Sequence, residues 1–228
     1  MPPDFVLVWD LDRTLGVFDA LEELRHPAEA VTVQLRPGIA RVLERLSAEG
    51  FVHTVLTLAS PRYAEIALRG AGLRQHFAEV AGAGQRPKGD VEGIAHLLGV
   101  PPEERPHRML FVGDHPLLDA PRCPDVVFHV EVHALARPAR ALCDLVLALR
   151  DEGEGSLRRG FDRLSGRGAL LDGSNGRVQL RRVEHPGLDP LVLMTRKERC
   201  PVLCFAEDAA GPGAGDEVSF VPGAIGLA

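Results

Sequence analysis

Apolar residues along the chain follow two rhythms. Phe5-Val6-Leu7-Val8-Trp9 is an unbroken run that stops abruptly at Asp10, as expected of a strand buried on both faces of a parallel sheet. A stretch of mixed polarity over 17–33, with His26-Pro27 inside it, reads as a flap. The period then turns helical: Arg36-Pro37-Gly38 opens a helix, Ile39, Val42, Leu43 and Leu46 share one face, and Gly50 stops it. Residues 51–56 form a second strand. Ser60 and Pro61 provide the N-cap and first position of another helix, which ends around Gly70 to Gly72. Residues 78–81 make a weaker strand, followed by a glycine-rich loop carrying Lys88 and a helix with Val91, Ile94, Ala95 and Leu98 on its apolar face. Residues 109–112 and 126–130 read as further strands, and 136–150 as a helix.

This alternation implies right-handed βαβ crossovers, and so an α/β fold: a Rossmann-like, mainly parallel sheet with helices on both faces. Ligands of such sheets bind outside the carboxyl ends of the strands. Asp10, Thr57, Lys88 and Asp114 all fall at or just after expected strand ends, so the topology can gather them although they are far apart in sequence. After residue 150 the character changes. Residues 1–150 are expected as the main domain, and the acidic, glycine-bearing stretch after it as a linker over 151–160. Short β-like runs at 177–180, 191–194, 201–205 and 217–221, parted by turns such as Asp172-Gly173-Ser174-Asn175-Gly176, make 161–228 a small β-rich C-terminal appendage.

Composition narrows the class. The 228 residues are 45% hydrophobic and 25% charged with a net charge of −6, which fits a globular chain. It excludes collagen-like and broadly disordered classes, and a surface built wholly for nucleic acid. No stretch has the roughly 20 apolar residues of a membrane helix. Met1-Pro2-Pro3-Asp4 lacks the regions of a signal peptide, so a cytoplasmic location is expected. Cys123, Cys143, Cys200 and Cys204 then read as reduced thiols, and no second close pair completes a zinc site with Cys200 and Cys204. From 156 to 199 there are ten bases and five acids, against the sign of the whole. The Arg158 to Arg199 region is therefore a candidate dock for an anionic partner, with a purely structural β extension as the alternative. Lysine stands only at Lys88 and Lys197, so nearly every base is arginine. A lysine kept in the loop after the third strand suits a pocket that needs a compact cation.

Asp10 and Asp12 lie two apart at a strand end, where side chains at i and i+2 point the same way and can reach one atom. Alone, such a pair is an ordinary turn motif. Order lifts it above that: Asp10-Leu11-Asp12-Arg13-Thr14-Leu15, then Thr57, Lys88, and Gly113-Asp114 with Asp119. A phosphorylation receiver domain uses similar residues, but its acidic pair precedes a phosphoacceptor on a later strand, an order absent here.

The ordered set resembles the haloacid dehalogenase superfamily of phosphohydrolases: Asp-x-Asp-x-Thr after the first strand, Ser or Thr after the second, a loop lysine, then Gly-Asp with a further Asp. The resemblance spans about residues 4–150. Leu35-Arg36-Pro37-Gly38 and the run 57–64 look similar to the small magnesium-dependent phosphatase and carboxy-terminal-domain phosphatase branch. It implies a Mg²⁺-dependent phosphatase working through an aspartyl-phosphate, and the residue types suit that chemistry. Asp10 is the expected nucleophile, and Asp12 protonates the departing oxygen and later deprotonates water. Mg²⁺ would be held by Asp10, the Asp12 carbonyl and Asp114. Thr57 and Lys88 bind phosphate, while Thr14 and Gly113 support the loops. Asp119 orients Lys88 or a metal-bound water, or else caps a surface helix. His115 is expected as an exposed loop histidine and Arg13, Arg36 and Arg62 as solvated or ion-paired surface charges, with contact to substrate as the alternative for each. Neither interval between motifs has room for a large cap domain, which points to an open site for a phosphoprotein or another bulky substrate. Two alternatives remain: a phosphatase of sugar or nucleotide phosphates, and a slow-turnover regulatory protein whose basic C-terminal region engages nucleic acid or an acidic partner.

Overall fold

In the computed structural model, residues 2–18, 31–82, 90–114, 128–131, 138–167, 169–170, 178–196, 201–205 and 216–220 are described. The strand β1 (Phe5–Trp9) lies inside the main sheet, and its alternation builds two cores. Leu7 and Trp9 join one apolar cluster, Val6 and Val8 the other, and all four are fully buried. A tight turn leads to β2 (Gly16–Val17), and the chain later returns as β3 (Val31–Leu35). Next come α1 (Ile39–Ala48), β4 (Phe51–Leu56), α2 (Pro61–Gly70), β5 (Phe77–Ala81), α3 (Val91–Leu97) and the short α4 (Arg105–Arg108). Then follow β6 (Met109–Gly113), β7 (Phe128–Glu131) and α5 (Ala139–Glu152). Helices α1, α2 and α5 cover the Leu7 and Trp9 face, and α3 covers the Val6 and Val8 face.

The C-terminal third contains α6 (Leu157–Gly166), β8 (Ala169–Leu170), β9 (Val178–Val183), β10 (Leu191–Arg196), β11 (Val202–Phe205) and β12 (Asp216–Phe220). It is β-rich, as the sequence implies, and it joins the main sheet. The strand order is β5-β4-β1-β6-β7-β11-β10-β9-β8. The pairs from β5 through β11 are parallel, and β11 to β8 form an antiparallel meander. The last strand, β12, crosses back to pair with β3 in a separate antiparallel sheet of order β12-β3-β2.

Residues 151–160, expected as a linker, instead form a helical hairpin. Glu154 and Gly155 take positive φ (50° and 79°), and Ser156 caps α6 by accepting from the Arg159 amide at 3.3 Å. Leu157, Gly160, Phe161 and Leu164 recur at helical spacing and are buried, so α6 packs on the same core as α5. The glycines that resemble a flexible linker have structural reasons: Gly155 holds a positive φ of 79°, and Gly153 and Gly160 sit at close contacts. A Cβ on Gly160 would overlap the Leu149 carbonyl, and one on Gly153 would overlap Ser156.

Candidate active site

Strand register gathers the candidate residues. Trp9 is level with Val55 of β4 and with Val112 of β6. One residue further, Asp10 therefore sits between the ends of both neighbours, and Thr57 and Asp114 lie one step beyond it on either side. Adjacent strands are about 4.8 Å apart, so these groups share one small region at the carboxyl edge. The ladders continue past the strand ends: the Asp10 amide donates to the Val112 carbonyl at 2.8 Å, and the Thr57 amide to that of Ala81 at 3.1 Å. Asp10 is only 2% exposed, and Thr57 is equally buried. The Thr57 hydroxyl oxygen accepts from the Ala59 amide at 3.2 Å. A Cβ on Gly82 would overlap the Ala59 carbonyl, so glycine there lets the end of β5 close against this loop.

The loop after Asp10 is tightly wound. The Arg13 amide donates to the Gly16 carbonyl at 2.6 Å and that of Leu15 to Leu11 at 2.9 Å, while Arg13 holds φ at 61°. That left-handed conformation costs a non-glycine residue about 1 kcal/mol, so the surroundings must enforce it. Arg36, at the end of β3, is part of the reason. Expected at the surface, it is fully buried, its Nε donating to the Thr14 carbonyl at 2.6 Å and its terminal nitrogen to the Arg13 carbonyl at 2.8 Å. A planar fork can hold two successive carbonyls in this way where an ammonium cannot. Thr14 is also fully buried. Arg13 and Arg62 are exposed.

Two further contacts brace the carboxylates. The Trp9 indole donates to His53 Nδ1 at 3.1 Å, and His53 Nε2 lies 3.1 Å from the Leu43 carbonyl. An indole N–H is only a donor, so Nδ1 accepts and the ring carries its proton on Nε2. This chain of bonds ties β1, β4 and α1 together one residue before Asp10, and burial pushes the His53 pKa down to about 4. Tyr63, in the first turn of α2, places its hydroxyl 3.1 Å from the Phe18 carbonyl and 3.4 Å from Asp12 Oδ1. The α2 turn is fixed by Ser60, whose Oγ accepts from the Tyr63 amide at 3.2 Å.

Asp10, Asp12, Thr14, Thr57, Gly113 and Asp114 are thus brought together from three strand ends. Lys88, His115 and Asp119 lie outside the described residues. Arg36, expected at the surface, is corrected to a buried clamp on the loop, and Tyr63 is a neighbour of Asp12 to which the sequence reading assigned no role. The Asp10 and Asp114 carboxylates and the Asp12 carbonyl are hard oxygen donors, a set that suits a divalent cation completed by water. Among the described residues, no group of three or more His, Cys, Asp or Glu side chains clusters as a metal cage.

A model of haloacid dehalogenase-like hydrolases matches residues 7–121, half of the chain. A haloacid dehalogenase superfamily hydrolase from Ehrlichia chaffeensis superposes with a TM-score of 0.43 at 11% identity, over 57% of this chain and 88% of that one. A haloacid dehalogenase-like hydrolase from Streptococcus pneumoniae gives 0.43 at 14% identity, over 56% and 84%. Among curated proteins, none matches. The matched span runs from within β1 past Gly113-Asp114, and the chain belongs to the haloacid dehalogenase-like hydrolases.

Proposed function

We propose that the protein is a Mg²⁺-dependent phosphatase that cleaves phosphomonoesters through an aspartyl-phosphate on Asp10. The observation that carries this reading is the placement of two carboxylates, a threonine and Gly113-Asp114 at the ends of three adjacent parallel strands. Asp10, buried and held by the sheet, attacks phosphorus in line. Asp12, on the turn that Arg36 clamps, gives a proton to the departing oxygen and recovers one from the water that hydrolyses the intermediate. The Thr57 hydroxyl takes the Ala59 amide as donor, which leaves its own proton for a phosphate oxygen. Asp10, the Asp12 carbonyl and Asp114 are the residues that would hold Mg²⁺, which when bound offsets the charge of the phosphate.

The segments 19–30 and 83–89 are too short for a cap domain, and Leu58, next to Thr57, is exposed. Both favour a phosphoprotein or another bulky ester over a small enclosed substrate. Hydrolysis of p-nitrophenyl phosphate should require Mg²⁺, and Asp10→Asn should reduce it by at least about a hundredfold. Equal rates for the two proteins would refute the mechanism. A panel of phosphopeptides, sugar phosphates and nucleotides then ranks the substrate classes.

A further inference from the structure

We propose that Tyr63 is a positioning residue that aims the Asp12 carboxyl at the leaving-group oxygen. This inference rests on Asp12 as general acid. The phenol lies 3.1 Å from the Phe18 carbonyl and 3.4 Å from Asp12 Oδ1. The carbonyl can only accept, so it draws the phenolic proton and leaves a lone pair of the phenol oxygen turned toward Asp12. A protonated Asp12 donates to that lone pair, and an ionised Asp12 shares the phenolic proton with Phe18. The contact therefore survives proton transfer in either direction, which is what a residue holding an acid that later acts as a base must provide. Apo contacts of this kind are commonly long and shorten in the reacting complex.

The support behind Tyr63 is rigid. Pro61 starts α2, Ser60 caps it on the Tyr63 amide, and the tyrosine ring packs against the main apolar cluster. A side chain with two torsions anchored in this way fixes the position of its oxygen. Phe18, whose carbonyl is the other anchor, is fully buried. The hydroxyl thus joins the first turn of α2, the segment after β2 and the catalytic loop at one atom.

The test compares kcat/KM for phenyl phosphate and p-nitrophenyl phosphate, since only the poorer leaving group, phenol, depends strongly on a well-placed acid. In Tyr63→Phe the phenyl-to-nitrophenyl ratio should fall about tenfold, a part of the 10²–10⁴-fold worth of a general acid. In an Asp12→Asn background the same change should leave the ratio unaltered, because the aimed group is gone. A ratio between two esters cancels any loss of folded protein, and Trp9, the only tryptophan, reports folding by its emission. An unchanged ratio in Tyr63→Phe, or a fall that persists with Asp12→Asn, overturns the role of Tyr63 while leaving the phosphatase reading intact. A wild-type protein that hydrolyses neither ester with Mg²⁺ overturns the reading itself, and this role with it.

Discussion

Arg36 and His53 are two buried polar side chains whose environments fix their behaviour. Arg36 has no exposed surface and serves two loop carbonyls. Arg36→Met should cost about 3 kcal/mol, because the carbonyls of Arg13 and Thr14 lose their donor in a buried setting. Arg36→Lys should recover little, since a single ammonium cannot reproduce the fork. Thermal unfolding of the two variants checks this, and a lysine variant as stable as the parent would contradict it. His53 has a folded pKa of about 4, lowered chiefly by burial from the ordinary 6.5. The unfolded chain takes up its proton near pH 6.5 and the folded chain only near 4. The contribution is therefore intact above 6.5, is lost as pH falls between the two, and is flat below. At 1.36 kcal/mol per pH unit the loss is about 3 kcal/mol. Urea midpoints from pH 7 to 4 should drop in the wild type and drop less in His53→Gln. Parallel curves would mean that His53 does not titrate in this way.

At the scale of elements, most strands and helices could be read from periodicity because each is defined by its own face. Ile39, Val42, Leu43 and Leu46 are buried as their spacing requires, and Ser60 caps α2 with Pro61 at its start. The linker reading failed at α6 for a physical reason. Gly153, Gly155 and Gly160 have the composition of a flexible tether, yet Gly155 holds a left-handed turn and Gly153 and Gly160 mark close backbone contacts between two helices. Gly160→Ala should destabilise the protein by about 3 kcal/mol, since a methyl meets the Leu149 carbonyl with no room to shift. A variant melting with the parent would show that α5 and α6 can part at no cost. The same hairpin revises the charge reading. Arg163 pairs with Glu154 at 2.9 Å, Arg167 with Glu152 at 3.0 Å, Arg158 with Asp162 at 3.0 Å and Arg182 with Glu184 at 3.1 Å. Glu152 and Glu154 lie just before the window in which the bases were counted, so folding brings acids to arginines that look unbalanced in sequence.

Across the whole molecule, the C-terminal third is bound to the rest by backbone pairing. β11 adds to β7 in parallel, and β12 pairs with β3, whose other edge carries β2 next to the loop of Asp10 and Asp12. A chain ended at Arg150 would leave β7 as an edge and strip the α6 face from the α5 core, so it should not fold as an independent catalytic unit. Circular dichroism and the solubility of residues 1–150 test this, and a soluble, cooperatively melting fragment would contradict it. Among the described elements, a chain ended at Phe205 removes β12. It should keep the main sheet while losing part of the proposed p-nitrophenyl phosphate hydrolysis through β3 and Arg36.

The sequence alone determined the strand-helix alternation, the α/β class, and the identity of Asp10, Asp12, Thr57 and Asp114 as candidates, because these depend on periods and spacings within short windows. Only the tertiary structure decided that Arg36 is buried beneath the Asp12 loop, that Tyr63 reaches Asp12 from another element, and that the C-terminal strands complete the main sheet. Those facts depend on contacts between residues far apart in the chain, such as Tyr63 with Asp12 and Val202 with His129. No local pattern of polar and apolar positions encodes them, since an arginine or tyrosine looks the same in sequence whether water or a carbonyl meets it.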